Sequence, residues 1–302
     1  MIAGERARAE AALIAITLVW GASFTLVKEA LADASTVAFL AIRFTAATAA
    51  VAFFSRRGLA AGMLTDPLAW QGGWRAGVFL AVAYLCQTAG LRWTTASKSA
   101  FLTSLCIVLV PLLAAGVYRV MPGGAEVVGI LLAAAGMILL TNPAQVLTGE
   151  TGWGELLTIA CAAAFAGHIL TTGRYAARAG LSALSLVQLG TASLLFWAAL
   201  PWLEPVRVRP TWRLGAAILI TAVVCTAMAF TVQAWAQRHT SATRVALIFA
   251  LEPVSAAVAS YVFAGEVLPA AGIVGGLLIL AGVLVVEWRP SRRNLSKACA
   301  ST

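Results

Sequence analysis

Charge is what this sequence has least of. Asp, Glu, Lys and Arg make up 11% of its 302 residues, against roughly 25% in soluble domains. It has two aspartates (Asp33, Asp66), three lysines (Lys28, Lys98, Lys297) and two histidines (His168, His239). It has no GxxxxGKS/T loop, so ATP hydrolysis at a P-loop is excluded. HExxH and GxSxG are also missing, and no nucleophile, base and metal set can be assembled for a hydrolase. No catalytic residue, cofactor or metal site is therefore expected. Cys86, Cys106, Cys161, Cys225 and Cys299 show no CxxC spacing and read as small core residues. Residues 1–10 carry charges of both signs and lead into an apolar run long enough to span a bilayer, unlike a cleavable signal.

What replaces charge is apolar surface, since 61% of the residues are hydrophobic. A chain this size cannot hide that much from water, but a bilayer accepts apolar stretches of about 20 residues. The long Ala-, Val-, Leu- and Gly-rich runs predict helices; barrel strands would show short alternating segments. Ten runs can be marked, roughly 9–27, 34–55, 74–91, 97–118, 125–141, 152–172, 182–200, 212–237, 242–263 and 268–287. Short turns such as Asp66-Pro67, Pro122-Gly123-Gly124 and Asn142-Pro143 join them, and the tail from Arg289 is polar. The expected fold class is an all-α polytopic membrane protein. The net charge of +9 is spread over short loops that could carry no groove-binding element, so nucleic acid is not an expected partner.

The runs repeat. Arg92-Trp93-Thr94-Thr95-Ala96-Ser97-Lys98 returns 146 residues later as Arg238-His239-Thr240-Ser241-Ala242-Thr243-Arg244, each leading into a run with a proline, Pro111 and Pro253. Gly129 and Gly136 return as Gly275 and Gly282 at the same offset. Repeats at long period mark related units, here residues 1–146 and 147–288, followed by a tail, 289–302. Five spans is an odd number, so a fully inserted second copy enters the membrane upside down. With the N-terminus inside, fourteen Lys and Arg residues fall on the cytoplasmic side and six outside, which favours both termini in the cytoplasm. Inverted repeats are a signature of secondary transporters, with the substrate between the halves. The glycine-rich fifth and tenth runs read as packing struts or a homodimer face.

Trp20-Gly21-Ala22-Ser23-Phe24, Lys28, Ala41-Ile42-Arg43-Phe44, Ala250-Leu251-Glu252-Pro253-Val254 and Gly265-Glu266 resemble, in order and spacing, the EamA-type permeases of the drug/metabolite transporter superfamily. The resemblance covers the whole chain. It implies ten transmembrane helices, a central cavity, alternating access, residence in the cell inner membrane, and export of small metabolites or amino acids, aromatic ones among them. The first half departs from the pattern, with Val120-Met121-Pro122 where the second has Gly265-Glu266, and Phe165-Ala166-Gly167-His168 stands in place of Trp20-Gly21-Ala22-Ser23.

Charges within apolar runs are costly and usually face a cavity or a partner. Arg43 and Glu252 are such charges, of opposite sign, and two readings stay open: a structural ion pair, or a gate or coupling site. His168 suits either a proton relay or a satisfied core position. Trp20 with Phe24, Tyr84 with Gln87 and Thr88, Phe101 with Ser104, and Phe165 with His168 each share a helical face, and Gln233 lies in an apolar run. With Ser23 and Phe249 these residues are the candidate cavity lining, where aromatic walls and a few amides suit flat, partly apolar solutes. Pro111 and Pro253 are expected to kink or gate their helices. Trp74, Trp153, Trp202, Trp212 and Trp288 sit at run ends and read as interfacial belts. The expected partners are a small-molecule substrate and the lipid bilayer. Two rivals remain: a carrier of nucleotide sugars or phosphorylated sugars, whose site would need several cations, and a non-transporting scaffold or lipid-handling protein.

Overall fold

The computed structural model describes residues 2–94, 96–141, 152–264 and 269–288. The expected boundary at 146, the Asn142-Pro143 turn, Gly265-Glu266 and the tail 289–302 with Cys299 lie outside the described residues. Within them the chain is helical, with one isolated antiparallel bridge between Ala34 and Val208. The helices are α1 Ile2–Ala30, α2 Thr36–Phe54, α3 Arg56–Ala60, α4 Pro67–Leu91, α5 Ala96–Thr103, α6 Cys106–Tyr118 and α7 Gly124–Thr141. They continue as α8 Trp153–Ala176, α9 Leu181–Leu203, α10 Trp212–Ala222, α11 Ala229–Ala236, α12 Ala242–Phe249, α13 Glu252–Ala264 and α14 Ala270–Glu287. A π-helical turn, Val223–Met228, joins α10 to α11 without a break.

Seven helical stretches are long and apolar enough to cross a membrane: Gly4–Ala30, Thr36–Phe54, Lys98–Tyr118, Trp153–Ala176, Leu181–Leu203, Trp212–Ala236 and Ala242–Ala259. Gly124–Leu139 and Ala270–Val286 are apolar but shorter. Leu131, Leu194, Leu219 and Val262 point outward, as do the five run-end tryptophans. Helices that are apolar on their outer faces as well as their inner ones belong in lipid, where each satisfies its own backbone polar groups. The chain is a multi-pass membrane protein.

Some boundaries lie outside the marked runs. The third run is marked from 74, but α4 starts at Pro67 because Asp66 caps it: its carboxylate accepts from the N–H groups of Leu68 at 2.9 Å and Ala69 at 3.3 Å. Proline next to the cap loses nothing there, since its missing N–H would have had no helical acceptor. The other carboxylate oxygen accepts from Gly180 N at 2.7 Å, tying this loop to the start of α9.

The two repeats interleave. α4 packs along α8 and α9, α2 along α9, and α1 along α13. α7 runs against α14, where a Cβ on Gly129 would stand 2.8 Å from Gly282 O, and one on Gly136 would stand 2.5 Å from Gly275 O. The glycines expected as a strut or dimer face therefore press against each other inside the chain. Because Gly275 is the counterpart of Gly129 and Gly282 that of Gly136, this is one contact made twice, as at a two-fold axis. A second cross-repeat clasp holds the start of α2. The Glu204 carboxylate accepts from the N–H groups of Thr36, Val37 and Ala38, taking up the donors a helix leaves free at its N-terminus.

The first helices of the two repeats run in opposite directions. Lys28, near the end of α1, donates to Thr94 O at 2.7 Å, and Thr94 Oγ1 donates to Glu155, near the start of α8, at 3.1 Å. At the far end Glu10, near the start of α1, accepts from Thr240 Oγ1 at 2.8 Å. There Arg238 Nε donates to Ala176 O, the last residue of α8, at 2.6 Å.

Candidate functional site

Two elbows build the site. α5 ends at Thr103 and α6 begins at Cys106; between them the N–H groups of Leu105, Ile107 and Val108 bond three residues back instead of four. α12 ends at Phe249 and α13 begins at Glu252, and the N–H groups of Ala250 and Leu251 also bond three residues back. The elbows lie 146 residues apart, so Thr103 matches Phe249 and Cys106 matches Glu252. The prolines relate differently to the two breaks. Pro111 sits inside the continuous α6, so the kink expected there is corrected to an elbow at 104–105. Pro253 sits in the first turn of α13 and cannot donate to Phe249 O, so the break expected from it falls in the turn just before it, at 250–251.

All four elbow-flanking residues line one cavity. Of the expected lining, Trp20, Ser23, Phe24, Arg43, Tyr84, Gln87, Thr88, Phe165, His168, Gln233, Phe249 and Glu252 come together there. Phe101 and Ser104 do not. Their spacing of three gives a shared face only on an unbroken helix, and α5 ends between them. Phe101 packs on the core instead, and Ser104 Oγ returns to Ala100 O at 2.9 Å. Val27, Leu91, Thr103, Cys106, Ile169 and Phe230 line the cavity unanticipated.

The walls are aromatic and interlocked. Phe230 is the hub, with ring centroids 5.4 Å from Trp20, 6.0 Å from Tyr84 and 5.3 Å from His168. Trp20 meets Phe249 edge-on at 5.1 Å, and Tyr84 meets Phe165 at 5.6 Å. Such tilted and edge-on contacts suit the ring quadrupoles. Trp20 Nε1 donates to Cys225 O at 2.7 Å, in the π-helical turn. The wider turn also lets Thr226 Oγ1 reach back five residues to Thr221 O at 2.8 Å, leaving its lone pairs to face Arg43.

Arg43 and Glu252 carry the site's charge. Arg43 Nε donates to Thr226 Oγ1 at 2.9 Å and Nη2 to the Tyr84 hydroxyl at 3.4 Å, with Cζ 4.8 Å from the Tyr84 ring centroid. Both residues are buried, and the two do not form the ion pair their opposite signs suggested. Among the described residues neither has an ion-pair partner within 4.0 Å. The paired reading is corrected: the cavity holds the two charges apart. Arg43 is also the one Lys or Arg among the described lining residues.

The polar end is half-satisfied. His168 Nε2 lies 3.0 Å from Gln188 Oε1 and 3.4 Å from Thr172 Oγ1, while His168 Nδ1 and Gln233 Oε1 are buried without a partner among the described residues. Gln87 Nε2 donates to Thr103 Oγ1 at 3.2 Å. Among the described residues no group of three His, Cys, Asp or Glu side chains could hold a metal ion.

Comparison with known proteins places this geometry. The model of the EamA-like transporter family matches the chain twice, over residues 7–142 and 152–288. Two proteins of Archaeoglobus fulgidus, each named as an uncharacterized transporter, are similar over nearly the full length. One is 29% identical over 289 residues, covering 94% of this chain and 87% of the relative; the other is 25% identical over 279 residues, covering 90% and 94%. A solved structure titled only as the crystal structure of a protein shares the fold, with a TM-score of 0.72 over 91% of this chain and 94% of its own, at 19% identity.

Proposed function

We propose, from the premise that this chain belongs to the EamA-like transporter family, that it exports zwitterionic amino acids, aromatic ones above all, from the cell. The observation that carries the reading is the pair of separated charges, Arg43 and Glu252, in one aromatic-walled cavity. A buried charge without a counter-charge is costly. An amino acid would supply both, its carboxylate to the guanidinium and its ammonium to the carboxylate, while its ring packs among Trp20, Phe230 and Phe249. A phosphorylated or nucleotide-linked sugar would call for more cations than Arg43 alone.

In this reading ten crossings form two inverted five-helix repeats in the inner membrane, with both termini in the cytoplasm. The opposed directions of α1 and α8 and the excess of Lys and Arg on one side support it. Access alternates through the cavity. The partners are the solute and the lipid bilayer; a homodimer would use the outward faces of α7 and α14, because their glycines are occupied.

Counterflow in proteoliposomes tests this. Phenylalanine and tryptophan should exchange, whereas N-acetylphenylalanine and phenylalanine amide, each lacking one charge, should not. Arg43→Gln and Glu252→Gln should each raise KM roughly 10- to 100-fold, since a hydrogen bond to a charged group is worth about 1.5–3 kcal/mol. Equal exchange of the singly charged analogues, or no exchange of any amino acid, would overturn the reading.

A further inference from the structure

The described residues of the repeated stretch that first marks the two halves do not line the cavity. At its first occurrence Lys98 Nζ lies 2.7 Å from Glu155 Oε1, and Thr94 Oγ1 donates to that same oxygen at 3.1 Å. At its second, Arg244 Nη1 lies 3.4 Å from Glu10 Oε1, and Thr240 Oγ1 donates to that same oxygen at 2.8 Å. Thr94 matches Thr240 and Lys98 matches Arg244 at an offset of 146, and Glu10 matches Glu155 at 145. The chain thus builds the same threonine–cation–glutamate triad twice.

Each triad crosses between repeats. It fastens the first helix of one repeat to the segment leading into the elbow of the other: α8 to α5, and α1 to α12. The two lie at opposite ends of the bundle. Lys28 bonds Thr94, and Glu10 is 18 residues earlier on α1, about 27 Å away at the rise of an α-helix. The cavity at the elbows lies between them.

We propose that these triads are the two latches of the transport cycle: the chain opens at one end by parting Lys98 from Glu155, and at the other by parting Arg244 from Glu10, never both at once. This rests on the alternating-access reading above but on no particular substrate. The latches are unequal. The Arg244 and Glu10 side chains are 3% and 4% exposed, against 19% and 11% for Lys98 and Glu155. Glu10 also accepts from Arg6 Nε at 2.9 Å, and Glu126 approaches Arg244 and accepts from Ser241. Parting a deeply buried pair strands more uncompensated charge, so the resting chain opens more readily at the Lys98 end.

Cys106, which lines the cavity, supplies the reporter. With Cys86, Cys161, Cys225 and Cys299 replaced by serine or alanine, the full chain in sealed membranes is labelled with a membrane-impermeant maleimide from either side, without substrate. Wild-type Cys106 should label faster from the Lys98 end. Glu10→Gln should raise labelling from the Arg244 end and lower it from the Lys98 end; Glu155→Gln should do the reverse. Open states are roughly 0.1–10% populated in such equilibria, so freeing one should change labelling about tenfold or more. The exchange Lys98→Glu with Glu155→Lys should restore the wild-type pattern, which a mere folding defect would not allow; size-exclusion profiles check folding directly. Unchanged sidedness in both single variants, or a rise from the same side in both, would overturn the latches. Sided shifts without amino-acid exchange would leave the latches standing and refute the substrate reading alone.

Discussion

Gly21→Ala is the sharpest test of how α1 positions the second elbow. Gly21 lies in the Trp20-Gly21-Ala22-Ser23-Phe24 stretch, with α1 pressed against the start of α13. A Cβ there would stand 2.4 Å from Glu252 O, 2.6 Å from Ser255 Cβ and 2.9 Å from Ala256 N. Ordinary contact begins near 3.4 Å, so the helices must part by about 1 Å. Two of the three atoms are backbone, and no side chain can swing away. Overpacking of this kind costs about 1–3 kcal/mol, a loss of several degrees in apparent melting temperature for a chain of this size. The strain falls on the turn that carries Phe249 and Glu252 into the cavity, so transport should fall further than stability does. Gly215→Ala is the control: nothing lies within 4 Å of its Cβ position, and it should be neutral or slightly stabilising. The assay pairs melting in detergent with proteoliposome flux. A Gly21→Ala protein with unchanged melting and unchanged flux would refute the close packing.

Three further outcomes follow from single contacts. Thr226→Val removes the acceptor of Arg43 Nε at nearly constant shape, so it should raise KM for the solute about tenfold; flux kinetics decide. Asp66→Ala should cost about 1 kcal/mol through the lost helix cap, read as a lower melting temperature. The Gly180 N–H holds the Asp66 carboxyl below its ordinary value; burial opposes it, and the N–H groups of Ala69 and Leu68 add to the lowering. Its contribution is therefore complete above the unfolded carboxyl value near 4 and fades as pH falls through the lowered folded value; the melting-temperature gap between wild type and Asp66→Ala should be full at pH 6 and shrink below pH 4.

Much of this was legible in residues and spacing. The recurrence of Arg92–Lys98 at Arg238–Arg244 located the two elbow-bearing segments, and helical spacing brought Tyr84 with Gln87 and Thr88, and Phe165 with His168, to one cavity. What escaped notice has physical causes. Phe230 lies in a long run with other large apolar side chains, and only its spacing of three from Gln233 would have marked it as the hub of the walls. Thr226 matters because a π-helical turn redirects it, and no spacing rule anticipates that turn. The elbow at 104–105 contains no glycine or proline, so Pro111 pointed to the wrong position, whereas Pro253 stands just after the elbow at 250–251. Arg244 drew no notice as a site because a buried cation is recognised only with its acids, and Glu10 lies 234 residues away.

The seam between α7 and α14 has one more implication. In an assembly of two identical five-helix chains, the Gly129–Gly282 and Gly136–Gly275 approaches would be encoded by a single pair of codons, and any change would strike both. Joined into one polypeptide, each approach answers to its own pair of codons. One half of the seam is then free to drift, loosen or acquire side chains while the other keeps the molecule shut.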